Sequence, residues 1–283
     1  MDLNFRLYGI FGYPLTHTLS PVMQEAAFRS LGVKAFYLPF EVEPEKFHSL
    51  MRRREDLLLD GFNVTVPYKE KVSCYLDRLS PSAQAMGAVN TVVRKGKSWV
   101  GFNTDETGFV TSLEHEGKFQ PRGKEVLIFG AGGSARAVAY GLARRGAKRI
   151  AIVNRTAPRA KKIISQYQKL FPRVKWVGTL EGIESADLVV NATSVGLKQS
   201  DPSLVSPRDF PKKTFFLDLI YNPPETKFLR LARKSGHRVL NGLGMLVYQG
   251  AEAFHLWTNR KAPVEIMRQA VQKIIAPSWE VSQ

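Results

Sequence analysis

Cysteine is almost missing: Cys74 is the only one in 283 residues. One thiol cannot close an intramolecular disulfide, so the fold must rest on packed cores, as suits a reducing cytoplasm. Acidic residues are scarce beside basic ones. Asp plus Glu number 25 against 41 Lys plus Arg, a formal charge of +16. No apolar run approaches the roughly 18–20 residues needed to span a bilayer. The start, MDLNFRLYGIFGYPLTH, carries Asp2 and breaks at Gly12 and Pro14, unlike a signal peptide. The five His and one Cys show no metal-ligand spacing. The expectation is a soluble cytoplasmic protein with no metal and no membrane partner.

Hydrophobic residues make up 44% and charged residues 23%, close to globular usage. At roughly 100–200 residues per domain the length predicts about two domains. There is no internal repeat, low-complexity tract or long linker. A pI near 10.0 admits nucleic acid, a membrane surface or an anionic small substrate as partner. It also admits a merely lysine-rich solvated surface. Nucleic-acid binding would need basic residues interleaved with exposed aromatics, or a reading helix. Neither is seen, so no nucleic-acid partner is expected.

FRLYGIF, AFYLPFE and DGFNVTVP read as strands. Helices are expected from Ser20 to about Leu31, from Pro44 to about Arg54, and from near Lys69. AVNTVVR and SWVGFN are two more strands, joined at Lys95-Gly96-Lys97. This alternation predicts an α/β layer. After Asp105 come a helix (about Glu106–His115), a loop and the apolar strand EVLIFG, which reads as buried on both faces. The helix-friendly SARAVAYGLARRG and the strands RIAIVN, ADLVVNAT and TFFLDLIY follow, with helices between them. That order predicts a doubly wound parallel sheet. From about Gly244 to Ala276 the chain reads as two helices that need a surface to pack on.

GAGGSARA, Gly130 to Ala137, stands between a strand and a helix. Gly130 permits a tight turn. Gly132 and Gly133 let the backbone approach a pyrophosphate at the helix N-terminus. The spacing is GxGGxxA rather than GxGxxG, and its bland alternative is a turn with no ligand. The next strand ends in Asn154-Arg155-Thr156, with no carboxylate to accept from a ribose 2′-hydroxyl. Eight basic residues and no acidic one lie between Arg144 and Lys162. A carboxylate would repel a 2′-phosphate, whereas guanidinium grips it with two parallel bonds. Arg155 and Arg159 are therefore read as 2′-phosphate ligands, with Thr156 adding a hydroxyl. The cofactor expected is NADP. Lys161 and Lys162 fit a solvated helix face equally well.

The first domain places polar residues at strand ends: Thr18 and Ser20 in HTLSP, Thr65 and Lys69 in NVTVPYK, Asn90 and Thr91 in AVNT, Asn103 and Asp105 in GFNTD. Each has a plain explanation. Ser20 before Pro21 is a good helix N-cap, Asp105 has the place to cap the helix after it, and Lys69 fits an ordinary surface lysine.

Taken in order, GYPLTHTLSP, GFNVTVPYKE, GAVNT, GFNTDETGF, GAGGSARA, NRT, NATSVGL, Asp218-x-x-Tyr221 and GLGMLVYQGAEAF resemble the shikimate dehydrogenase family. The resemblance implies an α/β, two-domain, NADP-dependent enzyme that reduces 3-dehydroshikimate to shikimate in chorismate and aromatic amino-acid biosynthesis. An N-terminal substrate domain (1–106) would be completed by C-terminal helices (242–283). A Rossmann-like NADP domain (107–241) would lie between them in sequence.

By motif, Lys69 and Asp105 would be the catalytic pair. Thr18, Ser20 and Tyr221 would hold the substrate carboxylate, and Thr65, Asn90 and Gln249 the ring hydroxyls. Gly130, Ala131, Gly132, Gly133 and Ser134 would form the phosphate loop. Asn154, Arg155, Thr156 and Arg159 would clamp the adenosine phosphate, and Leu219, Gly242 and Met245 would line the nicotinamide. His17 is expected to pack rather than act.

The family usually has Ser where this chain has Thr18. The added methyl would sit near the carboxylate, where quinate carries its extra hydroxyl. Alternatives are a quinate/shikimate dehydrogenase of broader use, and a non-catalytic NADP sensor on the same fold. The sensor would need to have lost the catalytic pair, and both members are present. Sequence leaves monomer and homodimer open.

Overall fold

Apolar strands on alternating helices give two sheets, one in each of two units. The computed structural model describes residues 5–16, 18–180 and 184–280. One unit joins Met1–Asp105 to Val247–Ile274, and the other holds Glu106–Leu246 with Ile275–Gln283. The sequence reading sets the second border at 241/242; here it falls at Leu246/Val247, inside a helix.

The first unit runs β1 (Arg6–Gly12), α1 (Ser20–Ser30), β2 (Ala35–Glu41), α2 (Pro44–Arg52), β3 (Gly61–Val64), β4 (Arg78–Leu79), α3 (Pro81–Met86), β5 (Thr91–Lys95) and β6 (Ser98–Phe102). Its sheet order is β2-β1-β3-β5-β6-β4. β1 lies parallel to β2 and β3, while β5 is antiparallel to both β3 and β6. The hairpin β5–β6 turns at Gly96, whose φ of +64° favours glycine. Phe11, Phe47, Phe62, Tyr68 and Trp99 fill the core on one side.

β2 is an edge strand, yet two of its outward main-chain N–H positions are closed. Tyr37 N donates to Glu25 Oε1 at 2.7 Å. Two residues on, Pro39 has no N–H to offer. Phe36 and Leu38 are exposed beside them.

α4 (Asp105–His115) starts at the border between the units. The second unit continues with β7 (Glu125–Phe129), α5 (Gly133–Arg144), β8 (Arg149–Val153), α6 (Ala157–Leu170), β9 (Lys175–Val177), β10 (Leu188–Asn191), β11 (Phe215–Asp218), α7 (Lys227–Lys234) and β12 (Arg238–Leu240). The sheet order is β12-β11-β10-β7-β8-β9, with every pairing parallel. This is the expected doubly wound, Rossmann-like sheet. Strand order reverses beside β7, so a crevice opens at the carboxyl ends of β7 and β10.

α8 (Leu243–Thr258) and α9 (Val264–Glu280) end the described chain. The second half of α8 is bound into the first unit. Trp257 stacks on Tyr8 with ring centres 4.8 Å apart and donates to Val92 O at 3.0 Å. Gln24 Nε2 donates to Gly250 O at 2.9 Å. Burying a side chain of Trp257's kind contributes on the order of 2–3 kcal/mol.

Two expected helices do not form. After Lys69 the described chain makes turns and a short 3-10 stretch at Val72–Tyr75. The reason is that Lys69 O accepts from Val89 N at 2.8 Å, so it is not available to continue a helix. Between β10 and β11 there is only a 3-10 turn at Pro207–Asp209. Pro202, Pro207 and Pro211 break that stretch, and Asp201 Oδ2 takes the N–H groups of Gly196 and Lys198.

Candidate active site

In the first unit, β3 delivers the segment that carries Lys69. Thr65 N donates to Phe11 O at 2.8 Å, and Tyr68 N closes a turn onto Thr65 O at 2.8 Å. The Tyr68 ring lies flat on Phe47, with centres 3.8 Å apart, and its hydroxyl bonds the Val42 carbonyl. Lys69 thus leaves a backbone anchored on both sides. Its Nζ reaches Asp105 Oδ2 at 2.6 Å, and the two side chains are 13% and 5% exposed. A plain surface lysine is ruled out by that burial.

Asp105 is the first residue of α4, where unpaired helix N–H groups favour a carboxylate. It does not act as a cap for its own helix. One carboxylate oxygen serves Lys69; the other, Oδ1, accepts from Asn90 Nδ2 at 2.8 Å. Asn103 orders the turn instead, accepting from Asp105 N at 3.0 Å and donating to Ala88 O at 2.9 Å. Asn90 Nδ2 also faces Thr104 Oγ1 at 2.9 Å and Gln249 Oε1 at 3.4 Å. Lys69, Asp105, Asn90 and Gln249 therefore meet. An ammonium held by a buried carboxylate, beside amides and hydroxyls, can stabilise a developing alkoxide and hand it a proton.

Thr18 and Thr65 are half-buried in the same unit. Ser20 is buried, but it is not the N-cap. Leu19 takes that position, with no side-chain capping bond. The helix begins one residue early because Pro21 suits the second helical position as well as the first. The Ser20 side chain lies near the Tyr37 phenol. His17 lies outside the described residues. Sequence reasoning passed over Tyr37, Asn63 and Thr104, all buried beside this group. The available signal was a polar Asn63 inside the apolar strand GFNV.

In the second unit, Gly130 turns the chain out of β7 with φ +114°, and a Cβ there would lie 2.6 Å from Ala192 O. Gly132 is the N-cap of α5 and faces open space: a Cβ would meet nothing within 4 Å. Ala131, Gly133 and Ser134 complete the loop. Such an open cradle over a 12-residue helix N-terminus fits a pyrophosphate. Past β8, Asn154 Nδ2 donates to Thr156 O at 3.0 Å and shapes the following turn. Arg155, Thr156 and Arg159 are exposed, and neither guanidinium pairs with a carboxylate among the described residues. The Thr156 side chain makes no cap bond. Residues 106–246 hold 24 Lys and Arg against 11 Asp and Glu, so this stretch carries +13 of the formal +16. The set fits a dinucleotide with an extra phosphate.

At the ends of β11 and β12, Leu219 N donates to Asn191 O at 2.9 Å and Gly242 N to Ile220 O at 3.1 Å. A Cβ on Gly242 would collide with the Leu219 carbonyl. Met245 follows in α8 and belongs to the unit's core. Asp218 is fully buried. It accepts from Asn191 Nδ2 at 3.0 Å, Ile220 N at 3.0 Å and Thr226 Oγ1 at 2.7 Å, tying two loops together. Burial pushes its carboxyl up to about 6 against the pull of those donors. Tyr221 lies on the tethered loop, and burial raises its phenol.

Three family models match the chain. A shikimate dehydrogenase substrate-binding domain covers residues 10–92, a shikimate/quinate 5-dehydrogenase model 114–226, and a shikimate 5′-dehydrogenase C-terminal domain 242–272. The shikimate dehydrogenase (NADP(+)) of Methanopyrus kandleri is 44% identical over 280 residues, 96% of each chain. A shikimate dehydrogenase solved with NADP+ superposes with a TM-score of 0.90 at 35% identity, covering 97% of both chains. The Thermus thermophilus shikimate 5-dehydrogenase, solved with NADP(H) and shikimate, gives 0.85 at 36%, covering 95% of this chain and 99% of that one. Likeness at this level, along nearly the whole of each chain, reaches past the fold to ancestry: this chain belongs to the shikimate dehydrogenase family.

Proposed function

We propose that Lys69 and Asp105 perform the proton chemistry of an NADP-dependent, reversible reduction of 3-dehydroshikimate to shikimate. The observation that carries this reading is the 2.6 Å contact between an ammonium and a carboxylate that are both withdrawn from water. When bound, NADPH supplies the hydride that reduces the carbonyl carbon. As charge grows on the carbonyl oxygen, Lys69 stabilises it and gives up a proton, leaving a neutral amine and an alcohol. Asp105 holds the ammonium in place. Asn90, bonded to the other carboxylate oxygen, prevents that carboxylate from turning away. In the oxidative direction Lys69 takes the alcohol proton back.

Ser20 and Thr18 are assigned to the substrate carboxylate, and Thr65, Asn90 and Gln249 to its ring hydroxyls. Hydroxyl and amide groups suit a polyol that both donates and accepts. Arg155 and Arg159, exposed and without carboxylate partners among the described residues, are assigned to the 2′-phosphate. Among the described residues no helix is long and apolar enough to cross a membrane. The single exposed cysteine supports a cytoplasmic setting.

A substrate and cofactor matrix tests the reading: shikimate and quinate, each with NADP+ and NAD+, followed by reduced-cofactor absorbance. The expected best pair is shikimate with NADP+. No turnover of shikimate with either cofactor overturns the assignment. Thr18→Ser is expected to keep shikimate turnover while changing the shikimate-to-quinate ratio, because only a methyl beside the carboxylate is removed.

A further inference from the structure

We propose that Tyr37 is a positioning residue for this reaction, acting on Asp105 through a buried chain of hydrogen bonds. The proposal rests on the reading of Lys69 and Asp105 as the catalytic pair.

The chain crosses the first sheet from β2 to α4. Tyr37 Oη lies 2.7 Å from Asn63 Oδ1 on β3. Asn63 Nδ2 lies 2.9 Å from Thr91 Oγ1 on β5. Thr91 Oγ1 lies 3.0 Å from Asn90 Oδ1, and Asn90 Nδ2 lies 2.8 Å from Asp105 Oδ1. Lys69 closes the series on the far carboxylate oxygen. Tyr37, Asn63, Thr91, Asn90, Thr104 and Asp105 are all at most 6% exposed, so water does not compete for these groups.

The orientation of both amides is dictated by main-chain groups whose roles cannot change. Thr104 N, a fixed donor, sits 2.8 Å from one amide atom of Asn90. That atom must be the oxygen, so the Asn90 NH₂ must face Asp105. The Asn90 main-chain carbonyl, a fixed acceptor, sits 3.0 Å from one amide atom of Asn63. That atom must be the nitrogen, so Asn63 Oδ1 must face Tyr37. The phenol then has to donate. Thr91 receives a hydrogen from Asn63 and has Asn90 Oδ1 at 3.0 Å as its nearer acceptor, with Thr104 Oγ1 farther off at 3.3 Å. The two amide orientations are fixed, and the last presents an N–H that Asp105 satisfies as a carboxylate.

Burial also raises the Tyr37 phenol well above its ordinary value, so it keeps its proton throughout the working range. The chain's polar groups are all buried in strands that otherwise favour apolar residues. An unmet partner at any link would leave a buried polar atom exposed to no solvent.

Tyr37→Phe removes only the hydroxyl and keeps the ring beside Trp257. It and Asp105→Asn are made singly and together. kcat and KM for shikimate are measured at saturating NADP+, with melting temperatures. Tyr37→Phe is expected to lower kcat ~10-fold, equivalent to ~1.4 kcal/mol, with KM changed less than about threefold. In the Asp105→Asn background it should add almost nothing, since both act through one group. An equal loss in both backgrounds overturns the proposal, as does wild-type kcat in Tyr37→Phe beside an impaired Asp105→Asn. A fully active Asp105→Asn would instead sink the catalytic assignment, and this proposal with it. If Tyr37→Phe does not fold, Thr91→Val and Thr91→Ser decide. Valine matches the shape without the hydroxyl and should lose kcat, whereas serine should keep it; equal kcat in the two overturns the chain.

Discussion

Lys69 Nζ lies 2.6 Å from Asp105 Oδ2, inside a shell where Asn90 already occupies the second carboxylate oxygen. Lys69→Ala therefore removes, among the described residues, the one cation paired with this carboxylate, the proposed proton donor. kcat should fall by ~10²–10⁴-fold, the range of a lost general acid, while KM for shikimate changes far less. Steady-state kinetics check this. A change in KM alone would recast Lys69 as a binding residue.

Gly132 and Gly130 should respond in opposite ways to alanine. Gly132 has φ −94° and open space where a Cβ would go. Gly132→Ala should leave the melting temperature nearly unchanged and weaken NADP+ binding sharply, because the methyl fills the phosphate cradle. Gly130→Ala should unfold more easily, since φ is +114° and the Cβ would press on Ala192 O at 2.6 Å. Paired thermal melts and NADP+ titrations separate the two.

Replacing both Arg155 and Arg159 with alanine should raise KM for NADP+ and leave NAD+ use almost unchanged. Each lost charge-assisted bond is worth ~1.5–3 kcal/mol, or about 10–100-fold. If the double variant still strongly prefers NADP+, the 2′-phosphate is held elsewhere. Rising salt should also raise KM for NADP+ more than for shikimate, because Glu106–Leu246 carries most of the positive charge.

Asp218 gives stability a readable pH dependence. Its folded-state carboxyl sits at about 6, above the ordinary 3.8. The folded state therefore holds a proton that the unfolded state releases, and Asp218 costs stability as pH rises from about 4 to 6. Above that window the cost is constant, on the order of 2–3 kcal/mol. Asp218→Asn keeps an acceptor for Ile220 N and an amide for Thr226. Its stability relative to the parent should therefore rise between pH 4 and 7 and then level off. Denaturant melts across that range check the slope; a constant difference would mean that Asp218 titrates normally.

Much of this was legible in the chain itself. EVLIF and LVVN read as buried strands because parallel strands covered on both faces are apolar throughout. The pair Lys69 and Asp105 was legible only through motif likeness, because their 36-residue separation leaves no local signal. The short strands β4, β9 and β12 have two or three residues each, too few to show alternation. Ser20 looked like an N-cap because Ser-Pro opens many helices, but the helix starts one residue earlier and Leu19 takes the cap position. Tyr37 and Asn63 were missed because strand periodicity marks burial, not what a buried polar group bonds.

The two closed positions on the edge of β2 have a consequence for how the protein behaves in a crowded cell. Phe36 and Leu38 lie exposed on that strand, the side-chain pattern that invites a neighbouring chain to add a strand. Such growth needs main-chain donors, and here Glu25 holds the N–H of Tyr37 while Pro39 has none. An incoming strand would find greasy side chains but, at Tyr37 and Pro39, no main-chain N–H to pair with. The protein can thus keep two bare apolar residues on a sheet margin and still resist the stacking that leads to fibres.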